Sequence, residues 1–271
     1  MKKLSRRDWI LRSLFFSTPL SCFGYGSLIE KRLIDVTRAD IPLKPEFASL
    51  DGLKIALMSD FHHDDFGDNA FIARAVQTIN HERVDLVMLA GDYISDDRTA
   101  LKPLFNELRN LRPGISTFAV LGNHDRWHLH NSLFTLAEDA GVRILINEAV
   151  EYDSFIISGI DSCWGGRPNL EATLKPTHPD KPVITGWHEP DTFDTYNDPR
   201  IILQMSGHTH GGQVCAPAIG PILLPQYGRK YPYGHYRQGD SSLFVTRGIG
   251  TMTIPTRFLC RPELAVLKMK A

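Results

Sequence analysis

The first half of this chain contains three apolar segments of strand length. Each is followed by a polar motif and then by a segment of helical periodicity. The apolar runs cover residues 53–58, 84–89 and 116–121, and the helical patterns cover residues 70–79, 100–111 and 132–140. Apolar runs bounded by turn residues are typical of buried strands, and strands that alternate with helices pair in parallel in at least part of a sheet. The sequence therefore predicts an α/β fold.

The pattern changes after residue 140. Strand candidates follow at residues 143–147, 151–159, 182–187 and 200–205, with short helical pieces at residues 169–174 and 190–196. This second run of strands predicts a second sheet. Residues 211–240, rich in glycine, proline and tyrosine, form a long irregular segment of the kind that is usually functional. An edge strand is expected within residues 30–52, and closing strands at residues 242–247 and 264–269.

Every strong polar cluster falls immediately after one of the predicted strands. The carboxyl ends of such strands form the rim where ligands bind, so side chains far apart in sequence converge there. Two aspartates, one asparagine and four histidines are a ligand set suited to manganese, iron or zinc. Seven ligands exceed the needs of one tetrahedral ion, and two divalent ions that share one carboxylate fit them better. The seven are Asp60, His62, Asp92, Asn123, His188, His208 and His210.

Five motifs at these strand ends resemble, in composition and in order, those of the calcineurin-like metallophosphoesterase superfamily. They are Asp60-Phe61-His62, Gly91-Asp92, Gly122-Asn123-His124-Asp125, His188-Glu189-Pro190-Asp191 and Gly207-His208-Thr209-His210. A His-x-His pair alone would be weak evidence, but the joint pattern is specific, and the resemblance extends from about residue 53 to the C-terminus. It implies a four-layer α/β fold in which two packed mixed β-sheets are flanked by helices.

The resemblance also implies a role for each residue of the centre. Asp60, His62 and His210 would hold the first ion, Asn123, His188 and His208 would hold the second, and Asp92 would bridge the two. His124 would lie over the ions, stabilise the developing charge and protonate the leaving oxygen. Asp125, the next residue, would orient the His124 imidazole.

The reaction implied is hydrolysis of a phosphodiester or pyrophosphate bond by attack of a metal-bridging hydroxide. Other segments resemble a bacterial, membrane-associated branch that includes cell-envelope phosphodiesterases and enzymes of the UDP-2,3-diacylglucosamine hydrolase type. These segments are Gln213, Arg229-Lys230-Tyr231, Thr246-Arg247-Gly248-Ile249-Gly250 and Arg261-Pro262-Glu263. We therefore expect an envelope or lipid-linked substrate such as UDP-2,3-diacylglucosamine. The alternatives are a nucleotide or cyclic-nucleotide phosphodiesterase and a non-catalytic, metal-dependent scaffold.

Three residues near the motifs are candidates for substrate binding. Arg126 and Arg247 can pair with a substrate phosphate through a bidentate fork, and His128 lies close to His124 in sequence. The alternative is that each is an ordinary surface side chain, since surface arginines usually do not bind phosphate and exposed loop histidines are common. Residues 229–237 mix basic and aromatic side chains, which suits a nucleotide, a glycan or a lipid headgroup as well as an ordered surface loop.

Charge is distributed unevenly along the chain. The formal net charge is -1, but residues 1–30 hold five basic and two acidic side chains, which leaves -4 on the remainder. A mildly acidic body argues against binding of long nucleic acid.

The four cysteines lack C-x-x-C spacing and are predicted to be buried thiols, with a bridge from Cys260 to Cys163 or Cys215 left open. The sequence does not determine the oligomeric state.

Residues 1–29 have the architecture of an export leader, ahead of a metallophosphoesterase domain predicted at residues 30–271. Ser5-Arg6-Arg7-Asp8-Trp9-Ile10 resembles a twin-arginine signal, and an apolar stretch follows. The stretch lacks an A-x-A cleavage site, so the leader can remain as an anchor. We expect a membrane-associated protein of the bacterial cell envelope, exported rather than held on the cytoplasmic face. The alternative is a basic amphipathic helix lying on the inner face of the membrane.

Overall fold

Two six-stranded β-sheets form the centre of the computed structural model, which describes residues 20–196 and 198–271. The first sheet contains, in spatial order, β1 (Asp35–Pro42), β14 (Glu263–Lys270), β2 (Lys54–Met58), β3 (Leu86–Leu89), β4 (Ser116–Ala119) and β5 (Val142–Ile144). Strands β2 to β5 are parallel, whereas β14 runs antiparallel to β2 and parallel to β1. The strands of the three predicted strand–helix units therefore pair in parallel.

The second sheet contains β12 (Gly234–Gln238), β13 (Ser241–Val245), β9 (Ile201–Ser206), β8 (Val183–Gly186), β7 (Ile156–Gly159) and β6 (Glu148–Glu151). Its four inner strands are parallel, and β12 and β6 close the edges antiparallel to their neighbours. A small hairpin of β10 (Cys215–Ala216) and β11 (Gly220–Pro221) lies outside both sheets. The predicted α/β architecture with two mixed sheets is confirmed.

Strand alternation determines which side chains fill the space between the sheets. In β2, Ile55 and Leu57 belong to the core shared with the second sheet, which includes Leu203 and Phe244. The intervening Ala56 belongs to the cluster on the helical side of the first sheet. Because successive strand side chains point to opposite faces, such continuously apolar strands must be covered on both sides.

Helices supply the outer layers. They are α1 (His63–Phe66), α2 (Asn69–Glu82), α3 (Leu101–Leu108), α4 (Asn123–Trp127), α5 (Asn131–Asp139) and α6 (Leu170–Leu174). Asp68 caps the N-terminus of α2, where its carboxylate accepts from the Ala70 N–H at 2.9 Å, and the helix buries Ile72 and Val76 at helical spacing. On the second sheet, Leu174 of α6 packs with strand residues, which completes four layers.

Short 3₁₀ turns connect several of these elements. They cover Glu30–Arg32, Pro45–Leu50, Arg98–Ala100, Pro190–Asp194 and His210–Gly212. The turn Pro190–Asp194 replaces the short helix predicted there, and its Phe193 packs on the outer face of the second sheet.

Two predicted strands differ from the expectation, one in the sheet that it joins and one in being divided into two strands. Residues 143–147 were expected in the second sheet, but β5 pairs with β4 at the edge of the first. The single strand predicted at residues 151–159 is the β6–β7 hairpin, because Asp153 and Ser154 form a turn closed by the Tyr152 N–H and the Phe155 carbonyl at 2.8 Å.

Most of the predicted leader, residues 1–19, lies outside the described residues. Residues 20–28 are helical. A Cβ at Gly26 would lie 2.7 Å from the Arg257 carbonyl oxygen, so this helix passes directly against the body. Within the described ranges, no helix combines the length and the apolar content needed to cross a bilayer.

Arg257 is completely buried and holds one wall of the rim together. Its guanidinium donates to the carbonyls of Arg247, Gly248, Gly250 and Cys260 at 2.6–3.3 Å. The N–H of Gly250 in turn donates to the Asp60 carbonyl at 2.7 Å. Arg257 therefore supports the backbone that positions the end of β2.

Replacing Arg257 by methionine should lower the free energy of unfolding by at least about 3 kcal/mol, because several buried carbonyls would lose their donor. Urea unfolding measures the change, and Arg261→Met, which removes a half-exposed guanidinium from the same loop, is the control. We expect the control to change stability by less than about 0.5 kcal/mol. Equal effects of the two substitutions would contradict the role of Arg257.

Candidate active site

Two clusters of ligand-type side chains lie at the carboxyl ends of the strands. Asp60, His62 and His210 form one, and Asp92, His188 and His208 form the other. Within each cluster the candidate ligand atoms lie within 4.8 Å of one another, and all six residues are buried. The strand ends thus converge across the two sheets.

Asp92 belongs to the second cluster and also borders the first. Its Oδ2 is 3.5 Å from His62 Nε2 in the first cluster and 3.2 Å from His188 Nε2 in the second. Its Oδ1 accepts the His124 backbone N–H at 3.0 Å, which fixes the carboxylate plane. Burial would raise the pKa of Asp92, but His188 and His62 hold that pKa well below its usual range. One ionised oxygen therefore faces both clusters.

The donor atoms fit a pair of divalent ions. Asn123 Oδ1 and His210 Nδ1 are buried without a hydrogen-bond partner among the described residues. Buried polar atoms are normally satisfied, so atoms of this kind at one rim indicate a ligand. Burial lowers the pKa of His208 and His210, which favours the neutral imidazole that binds metal.

Hydrogen bonds to the second ring nitrogen orient the histidines. His188 Nδ1 lies 2.5 Å from the Ala90 carbonyl, and His208 Nε2 lies 2.7 Å from the Gln226 carbonyl. A carbonyl can only accept, so in the neutral, metal-binding form of each ring the opposite nitrogen carries the lone pair that faces the cluster. Asn123 lines the same cleft as Asp92 and His208.

The backbone at the rim is strained where the ligands project. Asp60, His62, Asp92, His208 and His210 all have positive φ, between 39° and 73°. This left-handed region is sparsely populated by residues other than glycine and costs of order 1 kcal/mol or more each. Such a concentration of strain at one rim is typical of a functional site.

Two motif glycines allow the carboxylates to lie against the backbone. A Cβ at Gly122 would lie 2.1 Å from Asp92 Oδ1, and a Cβ at Gly207 would lie 2.4 Å from Asp60 Oδ2. Either contact is too close for any side chain. The glycines preceding Asn123 and His208 are therefore required by the packing of the two aspartates.

His124 is held by Ser95, a residue that the sequence motifs did not indicate. His124 Nδ1 lies 3.0 Å from the Ser95 carbonyl, and the Ser95 hydroxyl lies 2.9 Å from His62 Nδ1. The carbonyl accepts from Nδ1, which leaves His124 Nε2 as the nitrogen that can exchange a proton. The His124 ring centroid is 5.0 Å from that of His62. The histidine thus lies beside the first cluster.

The prediction that Asp125 orients the His124 imidazole is wrong, because its carboxylate binds backbone N–H groups instead. The buried carboxylate accepts from the backbone N–H groups of Gly122, Asp92 and Tyr93 at 2.7–2.9 Å. It therefore ties the turn after β4 to the turn after β3. Burial and the nearby Asp92 carboxylate raise the pKa of Asp125 to about 7.

The three predicted substrate-binding residues are not brought together. The Arg126 Nε lies 3.3 Å from Asp161 Oδ1, and His128 is exposed beyond the end of α4. The Arg247 guanidinium lies 3.0 Å from Glu263 and 3.5 Å from Asp35. None of the three lines the cleft beside the clusters, so their side chains are not placed to bind a phosphate there.

A cleft of about 810 Å³ opens over the second cluster and His124. Tryptophans and aliphatic side chains contribute much of its lining, including Trp127, Trp164, Ile222, Leu223 and Ile254. Sequence motifs did not identify these residues. In the sequence they lie in four separate segments, and only Ile222-Leu223-Leu224 forms a contiguous apolar run.

Two packed mixed sheets with two adjoining metal-ligand clusters at one rim define a metal-dependent hydrolase. Residues 53–212 match the family described as Calcineurin-like phosphoesterase. The chain belongs to that family and is a metal-dependent phosphoester hydrolase that acts on phosphorylated substrates. The two clusters correspond to a site for two divalent ions.

Similar proteins span the whole chain. An uncharacterized metallophosphoesterase of Bacillus subtilis (strain 168), YkuE, is 31% identical over 288 residues, covering 100% of this chain and 99% of that protein. Phosphodiesterase YaeI of Escherichia coli (strain K12) is 28% identical over 278 residues, covering 98% and 99%. A crystal structure of a candidate 5'-nucleotidase from Staphylococcus aureus matches 79% of this chain and 54% of its own, with 13% identity and a TM-score of 0.50. That likeness concerns the fold alone.

Replacing Ser95 by alanine should weaken metal binding by about 10- to 100-fold, because His62 would lose the partner that orients its ring. The apparent affinity for Mn²⁺ follows from calorimetric titration of the metal-free protein. Ser132→Ala is a matched control, since the Ser132 hydroxyl lies 3.0 Å from His130 Nδ1 far from the clusters. Unchanged Mn²⁺ affinity in Ser95→Ala would contradict the assigned contact.

Proposed function

We propose that this protein hydrolyses the phosphodiester or pyrophosphate bond of an amphiphilic, lipid-linked substrate, for which UDP-2,3-diacylglucosamine is the concrete candidate. The observation that carries the proposal is an aliphatic wall, defined here as Ile222, Leu223, Leu224, Met252 and Ile254, in the same cleft as the metal clusters. Leu223 is 79% exposed and Ile254 is 47% exposed. Contiguous exposed apolar surface is typical of a site that binds an apolar group.

Gln213 connects the aliphatic wall to the metal-binding turn. Its side-chain amide donates to the carbonyls of Met252 and Ile254 at 3.1 and 2.9 Å, and its carbonyl oxygen accepts the Met252 N–H at 2.9 Å. Gln213 follows directly after the turn His210–Gly212. An apolar chain held on this wall would therefore lie at a defined distance from the clusters.

Asp92, Asn123 and His124 each have a role in the proposed reaction. Divalent ions, when bound, supply Lewis acidity to the phosphoryl group and lower the pKa of water. Asp92 and Asn123 hold the cluster geometry. His124, in the imidazolium form that carries a proton on both ring nitrogens, stabilises developing charge and donates the Nε2 proton to the leaving oxygen. A non-catalytic scaffold would not require an imidazole in this orientation, so we favour an enzyme.

The aliphatic wall also favours a lipid-linked substrate over a nucleotide or cyclic nucleotide. A free nucleotide is polar along most of its surface and would leave Leu223 and Ile254 uncovered. Burial of apolar area contributes about 25 cal/mol per Å², so an acyl chain on the wall would add substantially to binding.

Replacing His124 by glutamine should lower kcat by about 10²- to 10⁴-fold, because the proton donor is lost while the ligand clusters remain. Turnover of bis-p-nitrophenyl phosphate with Mn²⁺ measures the loss, and metal content measured in parallel should stay unchanged. His128→Gln, an exposed histidine near the end of α4, serves as the control. A kcat within twofold of the unsubstituted protein would rule out His124 as the proton donor.

Leu223→Ser should lower kcat/KM for UDP-2,3-diacylglucosamine by about 10- to 100-fold, because burying a leucine side chain under the acyl chain is worth roughly 1.5–3 kcal/mol. The kcat/KM for bis-p-nitrophenyl phosphate, which lacks an acyl chain, should not change. Ile219→Ser is the matched control, since Ile219 is 81% exposed on the β10–β11 turn but does not line the cleft. A loss shared equally by both substrates would argue against an acyl-binding wall.

For localisation, we propose export to the cell envelope with membrane attachment through the leader, on the basis of the Arg6-Arg7 motif. Protease treatment of intact spheroplasts tests this, with lysed spheroplasts as the control. Digestion of the folded domain in intact spheroplasts is the expected result. Protection until lysis would place the domain on the cytoplasmic side and overturn the proposed export. Because UDP-2,3-diacylglucosamine is made on the cytoplasmic side, digestion in intact spheroplasts would favour another lipid-linked phosphoester of the envelope as the substrate.

A further inference from the structure

A pair of tryptophans stands beside the metal clusters and has no role in the reaction described above. The indole rings of Trp127 and Trp164 lie with centroids 5.0 Å apart at 78°, and we call this pair the tryptophan wall. The Trp164 ring is 5.6 Å from that of His208, and the Trp127 ring is 4.9 Å from that of His124. Both indoles line the cleft.

The loop that carries Trp164 is fixed by a buried carboxylate. Glu189, which directly follows the ligand His188, accepts the Cys163 N–H at 3.0 Å and the Trp164 N–H at 3.3 Å. The Ser162 hydroxyl donates to the same carboxylate. Glu189 is fully buried, so these donors satisfy carboxylate oxygens that water does not reach. The position of Trp164 is thereby coupled to the strand end that carries His188.

The helix that carries Trp127 is fixed to the same loop. Arg126, in α4, pairs with the buried Asp161 at 3.3 Å. A Cβ at Gly165 would lie 2.8 Å from Arg126 Cβ and 3.2 Å from Trp127 Cδ1, so the loop and the helix are in close contact. Arg126 therefore supports the tryptophan wall instead of contacting a phosphate.

The solvent exposure of the two tryptophan side chains indicates that they bind a ligand. Trp127 is 46% exposed and Trp164 is 37% exposed, although both stand beside buried, polar side chains. Packing between the two rings and the loop does not require their remaining faces to be open to solvent. Rigid indole faces at the mouth of a cleft suit a flat ring, and stacking of a base on an aromatic side chain is worth about 1–3 kcal/mol.

We propose that the tryptophan wall binds a flat aromatic ring, such as a nucleobase, carried by the leaving group of the substrate. The assignment to the leaving group rests on the proposed function, since His124, which donates the proton to the leaving oxygen, lies next to Trp127. The aliphatic wall and the tryptophan wall would then recognise two chemically different parts of one phosphoester. Binding of a ring to the wall does not itself require turnover.

Calorimetric titration of the Mn²⁺-loaded protein with phenylphosphonate, cyclohexylphosphonate and methylphosphonate tests the proposal. The carbon–phosphorus bonds of these probes are not phosphoester bonds, so binding is measured without hydrolysis. We expect phenylphosphonate to bind at least about tenfold more tightly than methylphosphonate. Trp127→Leu and Trp164→Leu should each remove most of that preference while the methylphosphonate Kd stays unchanged.

Tyr233→Leu is the matched control, because Tyr233 is a similarly exposed aromatic residue that does not line the cleft. It should leave the preference intact. Equal affinity for phenylphosphonate and cyclohexylphosphonate would overturn the proposal in favour of a merely apolar surface. A weakening of all three probes alike in the tryptophan variants would also overturn it. A phenyl preference in a protein that hydrolyses neither a phosphodiester nor a pyrophosphate bond would instead refute the proposed function alone.

Discussion

The structure depends on the buried carboxylate of Asp92, which faces two clusters of ligands at once. Its Oδ2 lies within 3.5 Å of an imidazole nitrogen in each cluster. Burying ionised carboxylates costs several kcal/mol per group unless opposite charge is nearby. Two divalent ions would supply that charge when bound, and the strained strand ends, the motif glycines and the Asp125 cross-link all serve to hold the two clusters at one separation.

Much of this arrangement could be predicted from sequence because it follows from local pattern. Apolar runs ending in polar motifs located β2, β3, β4, β8 and β9 and the ligand residues that follow them. The parallel pairing of strands then implies that these ends meet, whatever their separation along the chain. The seven predicted ligands include the six that the structure places in two clusters.

The errors arise where neighbours in sequence are not neighbours in space. Asp125 follows His124 in a helix, and adjacent helical side chains diverge by about 100°, so the carboxylate reaches backbone N–H groups instead of the imidazole. Arg126 and Arg247 were assigned to substrate from their charge, but each meets a carboxylate contributed by a distant segment. The two walls of the cleft share no motif, because each is assembled from loops whose positions depend on the buried Glu189 and the half-buried Gln213.

The two-ion centre is the basis of both the hydrolase chemistry and the proposed recognition of an amphiphilic substrate. Anomalous diffraction from crystals of the Mn²⁺-loaded protein tests it most directly. We predict two peaks about 3.5–4 Å apart, one among Asp60, His62 and His210 and one among Asn123, His188 and His208, with Asp92 between them. A single peak, or two peaks that do not share Asp92, would contradict the account.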